Sequence, residues 1–194
     1  MMHKRQFLAA ALAGATAPAF AQGNAAKGLQ GPALLTVTGA GVRANRGPFD
    51  PVRDQMMGKQ KLAFTAAHAF DFAALAALPV VRIQPTLEYD SKPHQLSGPS
   101  LASVLKAAGV TGQGGKLAMR AVDGYAPVIS FADAAKYRFI VATHLDGEPM
   151  PLGGLGPLWA VYDADRFPDM AAKPVDQRFA QCPWGLYHIE VQAG

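Results

Sequence analysis

Short runs of alternating or uniformly apolar residues succeed one another along this chain, separated by glycine, proline and polar stretches. Strand-like runs occupy 34–38, 61–65, 80–84, 117–122, 125–130, 139–143 and 184–192. Apolar residues at helical spacing predict helices over 70–78 and 101–108, and a shorter helix is predicted over 131–136. Several strands, few short helices and many turns predict an α+β fold, a mixed β-sheet domain with short helices.

Two Asp-Gly pairs, Asp123-Gly124 and Asp146-Gly147, each follow an apolar run and predict tight turns. Glycine adopts positive φ at little steric cost, which is why Asp-Gly favours such turns. We therefore interpret Asp123 as a turn residue, with a site role for Tyr125 as the lesser alternative. The glycines at 153, 154 and 156 do not open a helix, so they predict a backbone bend rather than a nucleotide-binding loop.

The first 21 residues have the pattern of an export signal. Lys4 and Arg5 precede an alanine-rich apolar run over 7–20, and Ala19-Phe20-Ala21 is a small-residue cleavage site. The run is too short for a transmembrane anchor, so a periplasmic or secreted protein without an anchor is expected. The segment 4–8 also resembles a twin-arginine motif with Lys in place of the first Arg, although an ordinary secretion signal explains it equally well. The predicted organisation is signal 1–21, flexible leader 22–33 and one domain over 34–194.

Composition narrows the function classes. Half of the 194 residues are apolar and 16% are charged, which is typical of a globular domain. The net charge of +4 becomes 4 − 2 = +2 without Lys4 and Arg5, and no basic cluster with interleaved aromatics occurs, so no nucleic-acid partner is expected. Cys182 is the single cysteine, which excludes an internal disulfide, and the histidines lack zinc-ligand spacing. We expect Cys182, Trp159 and Trp184 to be buried in the core.

Six segments together resemble the molybdopterin-binding domain of the sulfite oxidase family, and the resemblance covers nearly all of 34–194. They are Leu-Leu-Thr-Val-Thr-Gly (34–39), Leu-Ala-Ala-Leu-Pro (75–79), Leu-Ser-Gly-Pro-Ser-Leu (96–101), Leu-Lys-Ala-Ala-Gly (105–109), Ala-Val-Asp-Gly-Tyr (121–125) and Gly-Pro-Leu-Trp (156–159). No single segment is specific, but their order and spacing are those of the family. The resemblance implies a molybdopterin cofactor and oxidoreductase chemistry.

One departure from the family pattern bears directly on that chemistry. In the family's enzymes, a cysteine after the strand that follows the Leu-Pro helix ligates molybdenum. The corresponding segment 80–89 reads Val-Val-Arg-Ile-Gln-Pro-Thr-Leu-Glu-Tyr and contains no cysteine. The hard oxygen ligands of Thr86 or Glu88 are poor replacements for a soft thiolate. The ligand role is not transferred to Cys182, which lies far along the chain.

Four residues are predicted to hold a pterin or another small anionic ligand: Arg82, His94, Arg120 and His144. Each arginine lies within a strand-like run, where a guanidinium group either faces solvent or donates two hydrogen bonds to a buried anion. His94 lies in a polar connection and His144 ends a strand, and such positions commonly build sites. Solvent-facing arginines and surface histidines are the open alternative for each.

Two functions are compatible with this pattern. One is a molybdopterin-dependent oxidoreductase that ligates its metal without cysteine. The other is a non-catalytic binding module that has lost the metal and presents a small ligand to a membrane-bound partner. The missing thiolate favours the binding module, while the family resemblance and the twin-arginine-like signal favour the enzyme.

Overall fold

A computed structural model of the chain describes residues 28–112 and 114–194. The predicted signal 1–21 and residues 22–27 of the predicted leader lie outside the described residues. The described strands are Leu35–Gly39 (β1), Ala67–Phe70 (β2), Val80–Ile83 (β3), Leu96–Pro99 (β4), Lys116–Ala121 (β5), Val128–Ser130 (β6), Ile140–Ala142 (β7), His144–Leu145 (β8), Glu148–Pro149 (β9), Trp159–Val161 (β10) and Leu186–Gln192 (β11). The α-helices are Gln55–Lys59 (α1), Phe72–Ala76 (α2), Leu101–Ala107 (α3), Phe131–Lys136 (α4) and Pro168–Ala171 (α5), with 3₁₀ turns at Ala164–Arg166 and Val175–Gln177. This arrangement confirms the predicted α+β class.

The larger sheet has five strands in the order β2-β1-β11-β5-β6, so β11 enters near its centre. β1 and β11 are parallel, and the other neighbouring strands are antiparallel. Val37, Ile189 and Met119 form one cross-strand row, and all three side chains are fully buried. Because side chains alternate across a strand, this row defines the face of the sheet that packs on the core.

A four-stranded sheet, β3-β4-β8-β9, and a β7–β10 pair complete the fold. β4 packs against β7 so closely that a Cβ at Gly98 would lie 2.0 Å from the carbonyl oxygen of Val141. A residue with a side chain cannot be accommodated there. On sequence alone, the Gly98-Pro99 pair predicts a turn. This prediction is wrong, because the glycine permits sheet packing within β4 rather than a chain reversal. The β8–β9 hairpin closes through Asp146 and Gly147, which both have positive φ, as the Asp-Gly pattern predicts.

Side-chain caps explain where three of the helices begin. Ser100 accepts a hydrogen bond from the backbone N–H of Ser103 at 3.0 Å and caps α3. Ser130 caps α4 in the same way, through the N–H of Asp133 at 2.9 Å. Asp71 caps α2 by accepting from the N–H of Ala74 at 2.7 Å. Short polar side chains at this position satisfy backbone donors that the helix itself leaves free, and α4 has the bounds predicted from sequence.

The strand predicted over 61–65 is wrong. Those residues form a turn and irregular chain, and the neighbour of β1 is instead Ala67–Phe70. In that register Phe70 lies opposite Leu35, and both side chains are buried. Phe70 therefore belongs to a strand, and the helix predicted over 70–78 begins only at Phe72. Among the described residues, no helix is long and apolar enough to cross a membrane.

Candidate functional site

The structure distributes the four predicted ligand residues over three places. Arg82 on β3 and His144 on β8 both lie in register with Ser97 on β4, so they share one row of the four-stranded sheet. Because β3 and β8 lie on opposite sides of β4, the backbones of Arg82 and His144 are two strand spacings apart, or about 10 Å. Arg82 is exposed, whereas His144 is half-buried beside the Phe72 ring, 5.7 Å between centroids.

His94 lies in the β3–β4 connection and faces two carboxylates. Its Nδ1 is 2.6 Å from Asp146 Oδ2, and its Nε2 is 3.1 Å from Asp90 Oδ2. These carboxylates raise the pKa of His94, Asp146 more than Asp90. Both nitrogens can donate at once only in the imidazolium form. His94 therefore links the β3–β4 connection to the β8–β9 turn.

Arg120 lies on β5 in the five-stranded sheet, directly opposite His188 on β11. Its Nε atom is buried without a hydrogen-bond partner among the described residues, and so is Nδ1 of His188. Nε2 of His188 contacts the Thr38 hydroxyl at 2.9 Å. Burial, followed by the positive charge of Arg120, lowers the pKa of His188 to about 4. His188 is thus neutral and buried. The sequence places it in the closing strand but does not indicate its burial.

A cleft opens between the segment after β3 and the segment before β11, and we call it the aromatic cleft. Its inner chamber has a volume of about 260 Å³. The aromatic and acidic side chains of the inner chamber come from three distant parts of the chain: Glu88, Tyr89, Asp123, Tyr125, Phe179 and Trp184. None of the described residues that line this chamber carries a positive charge.

A second cavity of about 560 Å³, mostly apolar, shares Tyr89 and Trp184 with the inner chamber, and we call it the outer chamber of the cleft. Tyr89 and Trp184 line both chambers, and the backbone of the bend at 153–156 with Leu152 and Leu155 completes the outer one. Tyr89 is 55% exposed and Trp184 is 40% exposed. Partly exposed aromatic rings around a concave, apolar surface are typical of small-molecule sites.

Burial and the charge of Glu88 both shift the pKa values of groups that line the cleft. Burial first, and then the negative charge of Glu88, raises the pKa of Tyr89 to about 12. The Asp123 Oδ1 atom accepts the backbone N–H of Tyr125 at 2.8 Å, which confirms its predicted turn role and fixes its carboxylate at the chamber. The Tyr125 hydroxyl donates to the carbonyl of Ala180 and ties the two walls together. Tyr125, the lesser alternative in the sequence, thus lies at the site.

Cys182 also borders the inner chamber, but its thiol is buried, as the sequence predicts. Burial raises the pKa of the Cys182 thiol well above its usual range, and the charge of Glu88 raises it further. The free thiol of Cys182 is therefore neutral. The indole of Trp159 donates to the carbonyl of Cys182 at 2.9 Å and holds this segment in place.

A third cavity, of about 230 Å³, lies beside β1 and α1, and we call it the arginine pocket. Arg46, Arg53 and Asp54 line it together with Thr36 and Tyr187. Arg46 Nη2 is 2.6 Å from Asp54 Oδ2, and Asp54 also accepts the backbone N–H of Asp50 at 2.9 Å. None of the four predicted ligand residues lines this pocket or either chamber of the cleft.

Sequence reasoning missed the cleft because its parts become neighbours only through strand pairing. Trp184 was expected in the core, which is wrong: the ring is 40% exposed, while Trp159 is 1% exposed. In the sequence, Glu88 and Tyr89 stand out only as part of a segment that lacks the expected cysteine. Their placement directly after β3 was the one available signal, because the resemblance locates a metal ligand there.

The residues present do not fit a ligated molybdenum atom. The segment 80–89 contains no cysteine, and from it the inner chamber receives Glu88 and Tyr89. The phosphate of a molybdopterin requires cationic or N–H donors, and the chamber presents Glu88 and Asp123 instead.

Comparison with known proteins shows the fold. No protein-family model and no curated protein match this chain. Among solved structures, the crystal structure of the sulfane dehydrogenase SoxCD from Paracoccus pantotrophus is similar, with a TM-score of 0.54 and 12% sequence identity. The match covers 82% of this chain and 38% of that chain, so this chain spans well under half of its neighbour's length. The sulfite oxidase-like α+β fold implied by the sequence resemblance is confirmed as a fold.

Proposed function

We propose that this chain is a binding module of sulfite oxidase-like fold that takes a small ligand in the aromatic cleft. One observation carries the proposal: the cleft joins two exposed aromatic rings, Tyr89 and Trp184, to about 560 Å³ of apolar space. Exposed aromatic area on a concave surface is the usual platform for a small organic molecule. The segment 80–89 contains no cysteine, which supports binding rather than molybdenum redox catalysis.

The proposal includes where and how such a module acts. The export-type N-terminal segment supports a periplasmic or secreted location, and in that setting the bound ligand would be presented to a membrane-bound partner. The small anionic ligand expected from Arg82, His94, Arg120 and His144 stays a prediction attached to those residues, because none of them lines the cleft.

The second candidate is a molybdopterin-dependent oxidoreductase that ligates its metal without cysteine. It rests on fold similarity to a protein described as a sulfane dehydrogenase. The segment after β3 argues against it, because it brings the carboxylate of Glu88 to the cleft, and a carboxylate is a poor replacement for the family's thiolate ligand.

Ligand binding is tested by NMR titration of the protein with benzyl alcohol, a small neutral aromatic probe. We expect saturable shifts at the Trp184 indole N–H and at Gly153 and Gly154, and at least tenfold weaker binding in Trp184→Leu. The matched control is Phe72→Leu, which removes a ring of similar exposure (38%) outside the cleft and should leave the affinity unchanged. Shifts that do not saturate, or that are equal in the two variants, would overturn the proposal.

Metal analysis of the protein purified from its own host separates the two candidates. We expect molybdenum far below one atom per chain. Stoichiometric molybdenum would overturn the binding-module proposal and establish the enzyme.

A further inference from the structure

The inner chamber combines aromatic faces and carboxylates in a way that selects for charge. Four aromatic rings border it: Tyr89, Tyr125, Phe179 and Trp184. The π-faces of such rings are electron-rich and attract cations, most strongly the face of Trp. Several rings around one small space form the arrangement by which proteins recognise alkylammonium groups.

Two carboxylates, Glu88 and Asp123, add full negative charges to the same chamber. The described ion pairs include neither of them, so no lysine or arginine of the described chain offsets their charge at close range. The field of Glu88 is also felt by neighbouring groups. The negative charge of Glu88 contributes to raising the pKa values of both Tyr89 and Cys182. A cationic ligand would be stabilised there, and an anionic one repelled.

Volume and apolar surface limit the size and shape of the ligand. The inner chamber, at about 260 Å³, is slightly smaller than the pockets that hold drug-sized molecules. It accommodates a compact head group, while the apolar outer chamber beyond Tyr89 and Trp184 accommodates a flat or aliphatic body. The two chambers together therefore match a molecule with a charged head and an apolar tail.

We propose that the aromatic cleft binds a small organic cation, with its alkylammonium head in the inner chamber and its apolar body in the outer one. This inference rests on the proposed function, since it names the ligand class of the same site. It differs from the expectation drawn from the sequence, in which an anion is held by arginines and histidines elsewhere in the fold.

Three probes with a common benzyl or phenyl body and different charges test the proposal: benzyltrimethylammonium, benzyl alcohol and benzoate. NMR titrations of the unmodified protein should give at least tenfold tighter binding of the cation than of the alcohol, with benzoate weakest. Equal affinities of cation and alcohol would overturn this inference while leaving the binding module intact. If none of the three probes shifts cleft resonances, the proposed function itself fails. Tighter binding of benzoate than of the cation also overturns the inference.

Variants locate the selectivity in the two carboxylates. The double variant Glu88→Gln with Asp123→Asn should lose at least fivefold in affinity for benzyltrimethylammonium while retaining its affinity for benzyl alcohol. Asparagine at 123 keeps the side-chain oxygen that accepts the N–H of Tyr125, so the turn is preserved. The control Glu148→Gln with Asp176→Asn removes the same charge from exposed positions outside the chamber. An equal loss in the control would mean that net charge, and not the chamber, attracts the cation, and would overturn the proposal.

Discussion

The arginine pocket and the inner chamber of the aromatic cleft have similar volumes but use their charged residues differently. In the arginine pocket, the charge of Asp54 is paired with Arg46 at 2.6 Å, and its carboxylate also holds the backbone of Asp50. In the inner chamber, Glu88 and Asp123 face aromatic rings and no cation of the described chain. Charge that is paired within the protein stabilises the fold, whereas charge that faces an open cavity is available to a ligand.

The largest expected effect on stability concerns the ion pair in the arginine pocket. Asp54→Ala removes a carboxylate that is 7% exposed, leaving Arg46 without its partner and the N–H of Asp50 without its acceptor. We expect a loss of about 3 kcal/mol in the free energy of unfolding, because one charge of a mostly buried pair is left alone. Urea denaturation measures this loss, and Asp176→Asn at an exposed position is the control. Unchanged stability, with weakened cleft binding, would reverse the roles assigned to the two cavities.

The second prediction concerns the pH dependence of stability, which we expect to depend on the buried His188 beside Arg120. Its pKa is lowered to about 4, against about 6.5 for an unfolded histidine. The folded state therefore disfavours protonation of His188. The contribution of His188 to the free energy of unfolding is complete above pH 6.5 and decreases as the pH falls towards 4. We expect a loss of about 2–3 kcal/mol through this group over that range. Urea denaturation at several pH values measures it.

The control for this test is His188→Gln, in which the slope between pH 6.5 and 4 should flatten even if the variant is less stable overall. A slope equal to that of the unmodified protein would show that His188 does not cause the acid sensitivity.

His94 gives a smaller effect of the opposite sign. Its pKa is raised by Asp146 and Asp90, so the stabilisation is complete below pH 6.5 and is lost as the pH rises through the folded-state value. The pairs are partly exposed, and we expect a contribution of about 1 kcal/mol. His94→Gln should remove it, as measured by denaturation at pH 6 and pH 9. Because His94 anchors the segment that carries Glu88 and Tyr89, an effect confined to stability with no change in cleft affinity would show that the anchor does not position the site.

The smallest effect on stability is expected in the aromatic cleft. Trp184 is 40% exposed and lines both chambers of the cleft, so Trp184→Leu should change the free energy of unfolding by less than about 1 kcal/mol. Trp159→Leu is the contrast, since that ring is 1% exposed and its loss should cost about 3 kcal/mol. Thermal and urea denaturation compare the two. Equal losses would place Trp184 in the core after all.

Local signals in the sequence were sufficient where one residue determines one structural feature. Ser130 caps α4, and the helix has the predicted bounds of 131–136. Asp146 and Gly147 form the predicted hairpin turn because both can adopt positive φ. Local signals failed where tertiary packing decides, as at Gly98, whose missing side chain serves the contact with Val141. The weak alternation over 61–65 likewise did not outweigh the pairing of β1 with Ala67–Phe70.

The candidate site was less predictable than the fold. The cleft is assembled from segments near residues 88, 123, 153 and 182, which no periodicity connects. Arginine and histidine commonly hold anions, which is why the sequence predicts a site at Arg82, His94, Arg120 and His144. The strand registers place these residues on different sheets and loops. The sequence did indicate one position, the segment after β3, because the expected thiolate is missing there. In the structure, this segment contributes Glu88 and Tyr89 to the cleft.

The parallel pairing of β1 with β11 has a consequence for how the molecule is made. The hydrogen-bonded side chains of Thr38 and His188 are 150 residues apart, yet they lie on adjacent central strands. During synthesis, β1 and β5 each present an open edge until β11 arrives between them, and such edges are prone to pair with other chains. Completion of the sheet is therefore a late and long-range event, which slows folding. The yield of folded protein therefore depends on these edges staying unpaired with other chains until β11 is in place.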